Sequence, residues 1–410
     1  MAALAAHHHR LYSSSAAAPA PGRRLRFSPR PSSHGRFSSR AAARVLTRAS
    51  GGGGGTSTSS AAAPPAAAAT TASLSLEELR RGCTTWTWRG MRVNYLARGQ
   101  GPPILLVHGF GASVAHWRRN IGVLSESYTV YAIDLLGFGA SDKPPGFSYT
   151  METWAELQKN NFSCKENHWC TCCIKQLILD FLEEVVKRPT VLVGNSVGSL
   201  ACVIAAAGSN PPISCKLDVV RGLVLLNCAG GMNNKAIVDD WRIKLLLPLL
   251  WLIDFLLKQR PIASALFERV KGRDNLKDIL LSVYGNKDAV DDELVEIIRG
   301  PADTEGALDA FVSTVTGPPG PSPIALMPRL ADVPVLVLWG DRDPFTPIDG
   351  PVGKFFSKLP SELPNVTLHM LEGVGHCPHD DRPDLVHNRL LPWLDGLPPP
   401  AAEAAGAAAV

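Results

Sequence analysis

The residues with most chemistry in them are Gly194-Asn195-Ser196-Val197-Gly198, which follow the apolar run Thr190-Val191-Leu192-Val193 and precede the helix-like run Ser199 to Ala207. A serine between two glycines, where a strand turns sharply into a helix, presents its hydroxyl as a nucleophile. Gly194 and Gly198 supply the small residues that such a close strand–helix approach needs. A serine hydroxyl attacks only when a base takes its proton and an acid orients that base. Two downstream segments offer those groups in the order serine, acid, histidine: Trp339-Gly340-Asp341-Arg342-Asp343-Pro344-Phe345 and Glu372-Gly373-Val374-Gly375-His376-Cys377-Pro378-His379. Asp343 is read as the acid, with Asp341 its rival and better suited to ordering the turn. His376 is read as the base, with His379 its rival and better suited to a loop or surface contact. The oxyanion of an acyl-transfer intermediate needs two backbone N–H donors. Val197, next to the nucleophile, is one. Phe110, in His108-Gly109-Phe110-Gly111-Ala112, is the other, with Gly109 allowing the tight turn. His108 falls outside the required chain order and is assigned a loop-ordering hydrogen bond.

These groups must be positioned by a scaffold, and the hydrophobic pattern predicts one. Strand signals fall at Thr84–Trp88, Met91–Ala97, Pro103–Val107, Thr129–Ile133, Thr190–Val193, Gly222–Asn227, Val333–Trp339 and Val366–Leu371. From the third onward they are short continuous apolar runs, as in strands covered on both faces. Helix-like segments separate most of them. The expected fold class is α/β: an eight-stranded, mostly parallel sheet sandwiched by helices, antiparallel only at its start. Catalytic groups then sit just past the carboxyl ends of strands. Residues 232–317, between the sixth and seventh strands, are too long for a crossover and read as a helical cap, so the core comprises 77–231 and 318–396. Within the cap, residues 245–257 are apolar on nearly all sides. They suit a buried cap helix, the wall of a greasy cleft or a surface resting on a membrane, and are too short to span one. Leu249, Trp251 and Phe255, with Trp117 of the core, are the candidate contacts to an apolar substrate.

Charge and composition define the ends. Nine of the 41 basic residues, all Arg, lie in residues 1–76, which contain no acid; the remainder carries 32 basic against 37 acidic residues, a formal −5. An Arg-, Ser- and Ala-rich, acid-free leader has the composition of an organelle transit peptide, chloroplast before mitochondrion. The mildly acidic body offers nucleic acid no basic stripe, and the Gly-rich turn Asp134–Asp142 lacks the pattern of a nucleotide cradle. Residues 397–410 are Pro/Ala-rich and read as a disordered tail. Residues 158–176 are polar, lack either period and hold Cys164, Cys170, Cys172 and Cys173; adjacent Cys172 and Cys173 fit no standard zinc spacing, and no metal is expected. Without that insert, Thr153–Leu157 would join Leu177–Glu184 as one amphipathic helix.

The quoted motifs Val107–Gly111, Gly194–Gly198, Trp339–Pro344 and Gly375–His379, with His116-Trp117-Arg118-Arg119-Asn120, resemble the α/β-hydrolase superfamily and, within it, the plant pheophytinase and chlorophyll dephytylase group. The resemblance covers roughly residues 84–395; Ser199 departs from it, standing where many relatives carry Gly. It implies an α/β-hydrolase fold and a Ser196–His376–Asp343 triad working through an acyl-enzyme. It also implies a phytylated chlorin as substrate, no cofactor, and a plastid location in the stroma or at the thylakoid surface. Other readings of the same residues are a carboxylesterase, thioesterase or C–C hydrolase for another apolar plastid substrate, and a non-enzymatic ligand receptor. Enzymes with an aspartate nucleophile are disfavoured because position 196 is Ser.

Overall fold

The computed structural model describes residues 73–147, 149–151, 177–208, 219–233, 249 and 251–398. Its centre is an eight-stranded sheet in the order β1-β2-β4-β3-β5-β6-β7-β8. The strands are β1 Cys83–Trp88, β2 Met91–Arg98, β3 Pro103–Val107, β4 Thr129–Ile133, β5 Thr190–Asn195, β6 Val220–Leu226, β7 Val335–Gly340 and β8 Val366–Leu371. β1 and β2 pair antiparallel, as do β2 and β4. All other pairs are parallel.

Strand periodicity divides the core. Leu105, Val107, Leu192, Leu225 and Val337 point into one apolar cluster, with the helix Val197–Gly208 and Phe181 and Phe356. Their neighbours Ile104, Leu106, Val191, Val193, Val224, Leu226, Leu336 and Leu338 point into the opposite cluster, with Trp117, Ile121 and the face Val386, Leu390 and Leu394 of the helix Pro383–Asp395. Every inner strand is therefore apolar at consecutive positions, because alternate side chains meet helices on opposite faces.

Three expectations need correction. The folded body begins before residue 77: Ser75 caps the helix Leu76–Gly82, Leu79 is buried, and Leu74 N–H donates to Arg118 O at 3.0 Å. At the other end, Leu397 is buried in the core and Arg221 donates to Pro398 O at 2.9 Å, so the tail starts beyond 396. Trp117 is not available to a substrate; it is 1% exposed and packed inside the second cluster.

Between β6 and β7 the described residues form the helices Arg260–Lys271, Arg273–Val283, Asp292–Ala302 and Ala307–Thr316, with 251–257 also helical. The first part of this stretch is not buried: Leu249 is 50%, Trp251 70% and Phe255 61% exposed, whereas Leu257 is covered. Thr153–Leu157 and the whole of 158–176, with Cys164, Cys170, Cys172 and Cys173, lie outside the described residues, whereas Leu177–Glu184 are described and helical.

Candidate active site

Ser196 occupies the turn between β5 and the helix Val197–Gly208, at φ 56°. A side chain-bearing residue in the left-handed region is strained and persists only where its surroundings over-determine it. Here they do. Ser196 N–H donates to Leu226 O at 2.9 Å and Ser196 O accepts from Ala229 N–H at 3.2 Å, tying both ends of the peptide to the end of β6. A Cβ on Gly194 would lie 2.5 Å from Ser199 N, and one on Gly198 would lie 2.4 Å from His108 O, so only glycine fits at either place. Ser199 bolts the turn down: its hydroxyl donates to Gly194 O at 2.6 Å and accepts from Leu226 N–H at 3.1 Å.

His376 and Asp343 meet near that turn, to which Asn195 ties them by donating to His376 O at 3.0 Å. His376 Nδ1 lies 2.8 Å from Asp343 Oδ2, both residues being buried. The carboxylate also receives Asn227 Nδ2 at 2.6 Å, Thr346 Oγ1 at 2.5 Å and the N–H groups of Phe345 and Thr346 at 2.7 and 3.1 Å. Burial alone would push the Asp343 carboxyl up; the His376 ring and the bonds from His376, Thr346 and Asn227 outweigh it and hold the carboxyl below its ordinary range. An ionised acid at this distance keeps the proton on His376 Nδ1 and leaves Nε2 with a lone pair for a hydroxyl. Asp341, by contrast, is exposed and accepts from Val374 N–H at 3.2 Å. His379 is neither at the surface nor beside Asp343: it is fully buried, its ring 4.1 Å from that of Trp117 and 4.6 Å from that of His116.

Val197 is the first residue of its helix, where N–H groups have no intrahelical acceptor and the dipole favours negative charge. The β3 loop comes close: a Cβ on Gly109 would sit 3.4 Å from Ser196 Cβ. His108 shapes that loop. Its Nε2 accepts from Leu135 N–H at 3.1 Å, so Nδ1 carries the proton and donates to Gly109 O at 2.7 Å. The Gly-rich turn after β4 is organised by buried Asp134, which takes Val114 N–H at 2.6 Å and Ala140 N–H at 2.8 Å. Phe110 packs edge-on against Phe138 and, tilted at 6.0 Å, meets Phe311 of the helix Ala307–Thr316, which in turn meets Phe267 at 5.1 Å. Phe345 stands edge-on to His376 at 4.9 Å. The helix-period runs around Phe267 and Phe311 gave no sign that these rings would line up with the β3 loop. Asn227 was equally silent: it reads as the last apolar-strand residue, yet it is buried at φ 45° with Oδ1 accepting from Gly340 N–H at 3.0 Å.

The profile of the alpha/beta hydrolase family matches residues 104–389, and the chain belongs to that family. Pheophytinase, chloroplastic, of Arabidopsis thaliana is 27% identical over 75% of this chain; the match spans 65% of that protein's length. Among solved structures, a bacterial membrane phospholipase A superposes with a TM-score of 0.55 at 24% identity, over 77% of this chain and 87% of its own. A serine hydrolase involved in carbazole degradation gives 0.52 at 20%, over 76% and 98%. Both likenesses are of fold. No helix among the described residues is long and apolar enough to cross a membrane.

Proposed function

We propose that this hydrolase is a serine carboxylic-ester hydrolase acting on a long apolar ester in the chloroplast, the phytyl ester of chlorophyll or pheophytin before others. The observation that carries the reading is the buried 2.8 Å contact of His376 Nδ1 with Asp343 Oδ2 beside an elbow holding Ser196 at φ 56°. In the proposed reaction Ser196 Oγ attacks the ester carbonyl while His376 Nε2 takes its proton. The N–H groups of Val197 and Phe110 receive the developing oxyanion. Collapse expels the alcohol, protonated by His376, and leaves the acid esterified to Ser196. Water, deprotonated by His376, then releases the free carboxylate and restores the serine. No cofactor enters this scheme.

The apolar substrate is supported by the aromatic line Phe110–Phe311–Phe267 leading from the β3 loop into the helices between β6 and β7. Burying a twenty-carbon tail would supply ~0.8 kcal/mol per methylene, offset by ordering the chain. The exposed row Leu249, Trp251, Leu252, Phe255 and Leu256, ending at Lys258 and Arg260, suits a helix resting in the headgroup region of the thylakoid, where such a substrate dissolves. The Arg-rich, acid-free leader supports import into the plastid.

The deciding experiment incubates the full chain, wild type and Ser196→Ala, with pheophytin, chlorophyll and a short p-nitrophenyl ester, and separates the products. Phytol and the free-acid chlorin, formed only by wild type, are expected. Turnover of the short ester with both pigments intact would replace the phytyl-ester reading with a general esterase. Pigment binding without any turnover would replace it with a receptor.

A further inference from the structure

Asp381, five residues after His376, is fully buried, and its carboxylate is spent on backbone N–H groups. Oδ2 accepts from Gly375 N–H at 2.6 Å and from Gly285 N–H at 2.8 Å; Oδ1 accepts from Asn286 N–H at 2.7 Å. The first donor belongs to the residue preceding His376. The other two lie just past the helix Arg273–Val283, in the stretch between β6 and β7. Beside this clamp, His376 N–H itself donates to Val283 O at 3.0 Å. The two backbones touch: a Cβ on Gly375 would lie 2.1 Å from Val283 O, and one on Gly285 would lie 2.0 Å from Gly373 O. A parallel tie runs through Asp380, which accepts Tyr284 Oη at 3.1 Å and Arg118 Nε at 3.1 Å, while Arg118 also reaches Asp291 and Glu293.

The peptide of His376 is therefore held largely from outside its own loop. Helix-end residues Val283 to Asn286 hold one side, and Asn195 holds its carbonyl on the other. A displacement of about 1 Å at a base costs on the order of a hundredfold in rate. Three N–H donors converging on one site require an acceptor-only group with two oxygens. An amide offers one acceptor oxygen and turns an NH₂ toward the remaining donor.

We infer that Asp381 is a positioning residue: it sets the His376 imidazole by clamping the loop after β8 to Gly285 and Asn286, so that the helical insertion is part of the mount of the base and not only a cover. The inference rests on His376 being that base. It predicts that His376 shifts when the 283–286 segment shifts, even with Asp343 intact.

The test uses the full chain and a short soluble p-nitrophenyl ester, with active sites counted by burst titration. Asp381→Asn is expected to lower kcat about tenfold per titrated site, with KM within twofold, and to move the downfield proton resonance of the His376–Asp343 bond. Asp381→Glu, which keeps two acceptor oxygens, is expected to fall between Asp381→Asn and wild type in both readouts. Should Asp381→Asn fail to fold, the Glu variant alone decides, by a lowered kcat and a shifted resonance. Wild-type kcat per site and an unmoved resonance in folded variants would overturn the inference, as would a loss that disappears on counting active sites. His376→Ala is the control for the reading beneath it: if that variant turns over the ester at the wild-type rate, His376 is not the base and the proposed function has failed, independently of Asp381.

Discussion

Asn195 Nδ2 donates to the carbonyl oxygen of His376 at 3.0 Å, across 181 residues of sequence. The residue before the nucleophile thus holds the peptide of the base. The same Nδ2 lies 3.3 Å from Leu226 O, and Oδ1 lies 3.1 Å from where a Cβ on Gly109 would be. One buried amide therefore touches the end of β6, the loop after β8 and the loop after β3. Spacing between nucleophile, base and oxyanion loop is set by this amide as well as by the sheet.

The acid is tested by comparing two neighbours. Asp343→Asn should cut kcat by about four orders of magnitude, because an amide oxygen no longer favours the required His376 tautomer. Asp341→Asn should change it less than threefold, since that side chain is exposed and, among the described residues, holds Val374 N–H alone. Steady-state kinetics on a short ester separates them, and a more damaging Asp341→Asn would exchange the two roles.

Asn227 should prove as sensitive as a residue that contacts substrate. Asn227→Leu removes a donor to Asp343 and leaves the buried Gly340 N–H without its acceptor, at a cost of about 1–3 kcal/mol. A lower melting temperature and a kcat reduced at least tenfold are expected. Asn227→Asp would place two carboxylates at hydrogen-bond distance, forcing them to share a proton. Its activity should therefore depend on pH in a range where wild type is flat. Wild-type kinetics in both variants would show Asn227 to be a spacer.

Stability should fall on mild acidification. Burial pushes the imidazoles of His116 and His387 down from 6.5 to about 4. Burial also pushes His108 down, and His379 well below its ordinary value. Between those values and 6.5 the unfolded chain binds protons that the folded chain refuses. The contribution is complete above pH 6.5 and is lost as the pH falls toward 4, at roughly 3 kcal/mol for a group moved that far. Thermal melts from pH 7.5 to 5 should show a steady decline, and His387→Gln should flatten it. A melting temperature independent of pH over that interval would contradict the burial of these rings.

Deleting residues 158–176 should raise soluble yield and melting temperature while preserving ester hydrolysis. Leu177, Ile178, Phe181 and Leu182, immediately after the segment, are all buried in the first core cluster and form one continuous helical surface. In the sequence a polar, Cys-rich stretch separates this surface from Trp154 and Leu157, which share its helical period, and four thiols close together invite oxidation. Melts and a short-ester assay on the two chains decide; a deleted protein that is folded but inactive would make the insert part of the site.

Local features were legible in the amino-acid chain alone: the eight apolar runs, the Gly-x-Ser-x-Gly turn and the chain order Ser196, Asp343, His376. These are legible because strand period, turn chemistry and helix starts act over a few residues, and three of the eight strands match their predicted bounds at both ends. Only folding sets what joins residues distant from one another in the chain. It turned Trp117 inward, left Trp251 and Phe255 outside, and brought Phe110 against Phe311. It also brought Asn227 to Asp343, Asn195 to His376 and Asp381 to Gly285. An Asn at a strand end or an Asp after a histidine carries no periodic signal. Its role exists only once a buried partner with an unmet hydrogen bond arrives from elsewhere in the chain.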